Sequence, residues 1–439
     1  MSLLARAALA GLAWLAVPLP LEALDPAKEQ SLQARLDAAE EGSVIRVEAG
    51  VYEGPLRIDK AVSLIGVGQP VIDGGHLGHV VRIVAPDVRL EGFVIRNSGD
   101  DLSKDHAGVM IQGDRARIEG NRIENALHGI YLKKAGDCLV AGNRILGKET
   151  KLVPVEDVLT EGLRLTPDGE MCIVDLDVNQ RGNGIHLWNS SGNQLEGNVI
   201  RGTRDGIYFS FSDRTSVRDN HVSRTRYGLH YMYSDENVFE GNRFEMNAAG
   251  AAIMYSNGLF VRGNRFQNNQ GRRAYGLLLQ SLEDTTIIGN AVERNTVGIY
   301  LENSNRNVFR GNAVSSNYIG VRFTASSQDN AFTRNDFSAN LHSVELDGKS
   351  DANDWSPGGE GNFWSGSRPV DLDGDGFGEF GHREADLLGR HRREFPLVGL
   401  LSNTPALQLL QLAQSKVPLP GVSAIEDAAP LTRAAFGDD

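Results

Sequence analysis

Seven segments of the chain repeat one pattern of apolar and polar positions. They begin at Gly184, Gly206, Gly228, Gly250, Gly276, Gly298 and Gly320, spaced by 22, 22, 22, 26, 22 and 22 residues. In each, the second and fourth residues are apolar: Ile185/Leu187, Ile207/Phe209, Leu229/Tyr231, Ala251/Ile253, Leu277/Leu279, Ile299/Leu301 and Val321/Phe323. The third and fifth vary freely. Alternation with period two predicts a strand with one buried face. Each strand is followed by a second punctuation, nearly always Gly-Asn, and the phase extends back through Gly142-Asn143, Gly129, Gly120-Asn121 and Gly108. A fixed period of this length means stacked coils. No helical stripe fits between the punctuation marks. The pattern predicts an all-β fold, a parallel β-helix of about 22 residues per coil. Right-handedness follows from the crossover rule for parallel strands. Asn121, Asn143, Asn198, Asn220, Asn242, Asn264, Asn290, Asn312 and Asn335 share one phase. Stacked on successive coils, they predict a ladder of hydrogen-bonded amides.

The flanks read differently. Residues 1–23 carry Arg6, an apolar run from Ala7 to Val17 and a small residue at Ala23. This predicts a secretory signal peptide, with an apolar run too short to span a membrane. Export follows, to the periplasm in a cell with two membranes. The β-helix is expected over 24–346, its open end covered by a short helix around Leu32 and Leu36. Between Gly142 and Gly197 the phase breaks, and the surplus at 147–182 is expected to be an insert loop. Residues 347–395 are expected to form a C-terminal cap plugged by Trp355, Phe363 and Trp364. In 396–439, Thr404-Pro405 starts an apolar helix with Leu407, Leu409, Leu410 and Leu412, and a proline-rich stretch follows. This segment is expected to dock on a partner; a strap along the β-helix is the other reading.

Charge and cysteines narrow the picture. The 439 residues carry a net charge of −13, which argues against a nucleic-acid partner held through phosphates. In an exported chain Cys138 and Cys172 could form a disulfide that holds the insert down. A buried unpaired Cys138 is the alternative.

The outward columns carry the candidate chemistry. The third position reads Met110, Tyr131, His186, Tyr208, His230, Ala252, Leu278, Tyr300, Arg322. The fifth reads Gln112, Lys133, Trp188, Ser210, Met232, Met254, Gln280, Glu302, Thr324. Stacking should bring His230, Met232 and Met254 together. An imidazole with two thioethers is a soft set suited to Cu(I). His186 lies two coils away, roughly 10 Å, and is a candidate second station. The alternative is an apolar docking patch, to which Trp188, Tyr208 and Tyr231 would contribute. Asp371, Asp373, Asp375 and Glu379 match the front half of a calcium loop, but His382 stands where the bidentate Glu belongs. Many parallel β-helices act on polysaccharides, as lyases, hydrolases or epimerases. That alternative needs paired groove carboxylates, and the columns offer only Glu302, Lys133 and Arg322, far apart.

The strings RGNGIHLWNS (Arg181–Ser190), GIYFSFS (Gly206–Ser212), YGLHYMYSDEN (Tyr227–Asn237) and AIMYSN (Ala252–Asn257), with GNFWSGSRPVDLDGDGFGE and the Pro/Leu tail, resemble the NosD family of nitrous oxide reductase maturation proteins. The resemblance covers nearly the whole mature chain; the longer insert and the two cysteines depart from it. It implies a periplasmic, non-catalytic β-helix. Its expected partners are an ABC transporter permease and ATPase, a lipoprotein copper chaperone and nitrous oxide reductase, whose copper–sulfur cluster the system assembles. The chain has no Gly-rich phosphate loop, so ATP hydrolysis is expected in the transporter.

Overall fold

The computed structural model describes residues 31–434, except 155–163, 168–170, 272–273, 348–351, 387–394, 396–403, 407–408, 411–412 and 414–423. The proposed signal peptide lies outside the described residues. The rest is a parallel β-helix. Its coils contribute one short strand each to three parallel sheets of 12, 13 and 12 strands. The first sheet starts at Val44–Val47, the second at Val51–Glu53 and the third at Leu56–Ile58.

The apolar alternation dictates this stacking. Leu187, Phe209, Tyr231, Ile253, Leu279 and Leu301 follow one another in register along the third sheet. All are buried in one continuous core. Tyr231 therefore belongs to the interior and not to a docking surface. It is fully buried, its hydroxyl donates to the Ser234 carbonyl, and its ring packs against Phe209 and Phe239.

The asparagine ladder forms as expected. In Asn220 the backbone N–H and Nδ2 each donate to Asn242 Oδ1 at 3.0 Å, and Nδ2 also donates to the Leu195 carbonyl at 2.9 Å. The same bonding runs from Asn121 to Asn335. It continues one coil further, to Asn362. The strand Phe363–Trp364 pairs with Asp336–Phe337, so the β-helix passes beyond residue 346. Every side-chain donor and acceptor of a rung is used, which is why an amide is tolerated in the core.

Both ends are closed. Ser31 caps the helix Leu32–Ala38, which buries Leu32 and Leu36 over the first coil. At the other end Trp355 stacks on Phe332 at 4.2 Å, and Trp364 on Phe337 at 4.5 Å. The last rung is finished by the C-terminal region: Asp427 Oδ2 accepts from the Asn362 N–H at 2.7 Å and from Trp364 Nε1 at 2.8 Å. Asp427 lies in the strand Ala424–Asp427, which pairs antiparallel with His382–Ala385. Residues 424–432 are thus part of the cap and not of a free tail.

The insert is folded rather than a plain loop. Thr150–Pro154, Met171–Asp175 and Arg164–Leu165 form a three-stranded antiparallel sheet. Cys172 lies on its middle strand, opposite Val153 and Leu165. Cys138 faces the β-helix core, with Sγ 3.4 Å from the Gly136 carbonyl. Both thiols are free and buried, so no disulfide holds the insert. Burial pushes the Cys138 thiol up to about 11, which makes it a poor nucleophile.

Candidate functional site

The outer face of the third sheet carries the soft residues. Register confirms the stacking: Tyr131, His186, Tyr208, His230 and Ala252 are successive neighbours, as are Trp188, Ser210, Met232 and Met254. Tyr131 and His186 stack face to face at 4.1 Å, His186 meets Tyr208 at 4.4 Å, and Tyr208 meets His230 at 4.9 Å. His186 and His230 are therefore separated by a tyrosine ring and cannot share an ion.

The face is less open than alternation implies. Met110 and Tyr131 are buried, together with Ala107, under Trp188. Lys133 lies over the Tyr131 and Trp188 rings, anchored to Asp105 at 2.9 Å. Ala252, the small residue of the first column, is fully buried. Trp188, Tyr208, His230, Met232 and Met254 remain half-buried.

A second column beside the first was not expected. It holds His79, Ala107, His128, Asn183, Asp205, Tyr227 and Ala249, each two residues before the strand's first inward residue. Strict alternation points these positions inward. Glycine breaks the alternation: the ladder pairs Asp205 with Tyr227 and Ile207 with Leu229, skipping Gly206. A Cβ at Gly206 would lie 2.1 Å from Val222 Cγ1, so only glycine fits the turn into the strand.

Asp205 organises the site. It is fully buried, receives Nε and Nη2 of Arg226 at 2.9 and 2.7 Å, and receives His230 Nδ1 at 2.9 Å. Burial would raise its carboxyl, but these bonds and the Arg226 charge hold it below the usual carboxylate range. The chemical consequence lies at His230. A carboxylate only accepts, so Nδ1 carries a proton toward Asp205 and Nε2 is the nitrogen left to face a ligand. This carboxylate–histidine pairing orients metal-binding imidazoles. The residues present thus suit a soft cation: a pre-set imidazole nitrogen and two thioethers on adjacent coils. Among the neighbouring histidines, burial and the charges of His128 and Arg204 push His186 well down, so it is neutral at neutral pH.

One further feature borders the thioethers. Phe211, Tyr233 and Tyr255 each follow a fifth-position residue and are exposed. Their rings stack at 5.3 and 5.1 Å with interplanar angles of 10°. All three backbones have positive φ (52°, 50° and 53°), a costly conformation for aromatic residues. The ring faces are used on one another, so the ladder offers edges outward rather than the open faces on which sugars stack.

Among the described residues, the buried carboxylates on this face are already committed. Asp205 is committed to Arg226 and His230, and Glu345 is buried beside Arg322 at 2.8 Å. Elsewhere, Asp371, Asp373 and Asp375 bring carboxylate oxygens within 4.8 Å of one another. Glu379 does not join them. Its carboxylate accepts from the Leu372 and Asp373 backbone N–H groups, because the turn curls back on itself. Of the apolar tail residues, Leu409 and Leu410 are exposed, while Leu407 and Leu412 lie outside the described residues. No helix among the described residues is long and apolar enough to cross a membrane.

Comparison with known proteins adds the following. Residues 167–368 match the family model described as periplasmic copper-binding protein (NosD). The chain is 32% identical over 405 residues to a Stutzerimonas stutzeri protein named probable ABC transporter binding protein NosD, covering 88% of this chain and 86% of that one. A Pseudomonas aeruginosa protein of the same name is 33% identical over 401 residues, covering 88% and 87%. Among solved structures, the Azotobacter vinelandii mannuronan C-5 epimerase AlgE6 A-module aligns over 73% of this chain and 92% of its own. Its TM-score is 0.47 and its identity 13%. A Yersinia enterocolitica family 28 exopolygalacturonase aligns over 77% and 75%, with TM-score 0.47 and identity 10%.

Proposed function

The chain belongs to the NosD family of periplasmic copper-binding proteins, and we propose that it is the rigid periplasmic scaffold on which copper is passed toward nitrous oxide reductase. Copper is cargo in this reading. His230, Met232 and Met254 receive it as Cu(I), and His186 serves as a further station. One observation carries the proposal: Met232 and Met254 are paired in register on adjacent strands, beside a His230 whose Nδ1 is held by the buried Asp205 so that Nε2 is left to face a ligand. The thioethers select a soft ion over zinc, calcium or magnesium.

The partners follow from family membership and from surface chemistry. Both relatives carry the name ABC transporter binding protein. We assign the apolar segment around Leu407, Leu409, Leu410 and Leu412 to the transporter permease, whose ATPase supplies the energy. The half-buried Trp188 and Tyr208 and the exposed aromatic ladder Phe211–Tyr233–Tyr255 border the copper station. They suit the chaperone that delivers the ion or the apo-reductase that takes it. A β-helix pinned by continuous side-chain ladders bends little, so motion of the permease is transmitted rather than absorbed.

The role of Asp205 is testable apart from the ligands. Asp205→Asn leaves a side chain of the same shape but removes the charge that fixes His230. Cu(I) affinity, read by competition with a chromophoric chelator, is expected to fall by roughly 10–100-fold, the usual effect of losing such a supporting group. Unchanged affinity with an intact fold would remove Asp205 from the site.

The triad Asp371, Asp373 and Asp375 is proposed as a structural calcium site next to the cap. Adding a chelator to the purified protein should lower its melting temperature by mass action. Superimposable melting curves with and without chelator would rule out an occupied site.

A further inference from the structure

His79, His106, His128, His186 and His230 succeed one another along the outer face of the third sheet. Their order follows from the coils. His79 and His128 occupy the same column with the small Ala107 between them, and His106 precedes Ala107. The His79 and His106 ring centres are 5.9 Å apart with planes at 82°. His128 and His186 are 5.4 Å apart at 62°. Met110, Met232 and Met254 stand on the same face.

His79 is the unusual member. Its Nδ1 is buried and makes no hydrogen bond. Buried polar atoms are nearly always partnered, and an orphan asks for an explanation. Burial, followed by the neighbouring His106 and Arg82, pulls the His79 imidazole down to about 4. His106 Nδ1 accepts from the Asp101 N–H at 3.3 Å, a long bond that a stronger interaction can replace. The local cations are already engaged: Arg82 Nε donates to Gln112 at 2.8 Å, and Lys133 is paired with Asp105. Asp105 also faces His79 and offsets part of the positive field.

From these placements we propose that His79 and His106 form a second station for a soft monovalent d10 cation, and that His128 and His186 link it to His230. The face is then a track and not a single site. Two imidazoles joined in line by one ion, with metal–nitrogen bonds of about 2 Å, have ring centres roughly 6 Å apart, close to the observed separation. Two nitrogens are too few for zinc, which takes four ligands in structural sites and three in catalytic ones. Cu(I) and Ag(I) accept two. The inference rests on the copper-handling reading above, and it adds an entry point whose His106 is four coils and His79 five coils from His230.

The test uses Ag(I), which stays monovalent in air, titrated into the mature wild-type protein. Two-bond 1H–15N correlations report each imidazole. The His79 and His106 resonances are expected to shift together, saturating separately from those of His230. In His79→Ala/His106→Ala, tight binding should fall by about one equivalent, while Met232→Leu/Met254→Leu should lose a different one. If His79 and His106 stay unshifted while His230 moves, the second station is wrong and the proposed function stands. If no histidine on this face moves, both fail. The wild-type spectra decide the matter even if the double alanine variant misfolds.

Discussion

A chain carrying Met232→Leu and Met254→Leu is expected to fold as the wild type does and to lose Cu(I) at the His230 station. The two thioethers are half-buried neighbours in register. Leucine keeps their volume and apolar character, and such exchanges usually cost less than about 1.5 kcal/mol. The core beneath is formed by Tyr231 and Ile253, which are untouched. The metal effect should be far larger. Losing one outer supporting group already costs roughly 10–100-fold in affinity; here two of three direct ligands go, leaving one imidazole. Anaerobic titration of Cu(I) against a competing chelator measures the loss, and reductase maturation in cells reports its consequence. Full affinity in the double variant would place the cation elsewhere. Full maturation despite lost affinity would make the station dispensable and leave the face to docking.

The repeat was legible because core burial and turn chemistry act at every coil. Inward pairs such as Ile207/Phe209 and the Gly-Asn punctuation are forced by stacking, so they recur, and the register they imply is the one observed. Asn362 carried the same signal, as Gly361-Asn362, but 27 residues separate it from Asn335 and the counted phase ended too early. Asp205, His128 and His79 were not legible for a different reason. Alternation assigns them inward; for Asp205 and His128 the glycine that follows, visible as the skipped Gly206, turns them to the outer face, whereas His79 is followed by Val80 and carries no such mark. His230, Met232 and Met254 are legible as neighbours because they obey the period. The residue that sets the His230 proton was missed because it does not.

Tyr231 and the two cysteines show the limit of reading residue types. Tyrosine and cysteine tolerate either side of a strand, so chemistry alone suggested a docking ring and a disulfide. Position decides instead: Tyr231 is at an inward position, and Cys138 faces the core while Cys172 sits in the insert's own sheet. Glu379 stands apart from the three aspartates because its carboxylate accepts the Leu372 and Asp373 N–H groups across the turn.

Truncation after Ser402 is expected to damage the fold, whereas excision of the segment between the two cap strands is expected to spare it. The chain leaves the cap after His382–Ala385 and returns at Ala424–Asp427, which pairs with the strand it left. The apolar residues Leu409 and Leu410 lie on the excursion between. Cutting at 402 removes the returning strand. Ile425, fully buried, is lost, which alone costs roughly 1.5–3 kcal/mol of burial. Asp427 is lost as well, stranding the Asn362 N–H and Trp364 Nε1 that donate to it. Each stranded buried donor costs about 1–3 kcal/mol. The sum is several kcal/mol, concentrated at the end of the stack, so the last coils should fray and the melting temperature should fall. Replacing residues 388–422 by a short glycine–serine linker keeps both strands, Asp427 and the amide ladder. That variant should melt like the wild type and yet fail to copurify with the permease. The pair of variants separates structure from docking. A truncated chain that melts normally would show that the returning strand adds nothing to the cap. An excised chain that still copurifies at full yield would move the permease contact off the excursion and onto the β-helix itself.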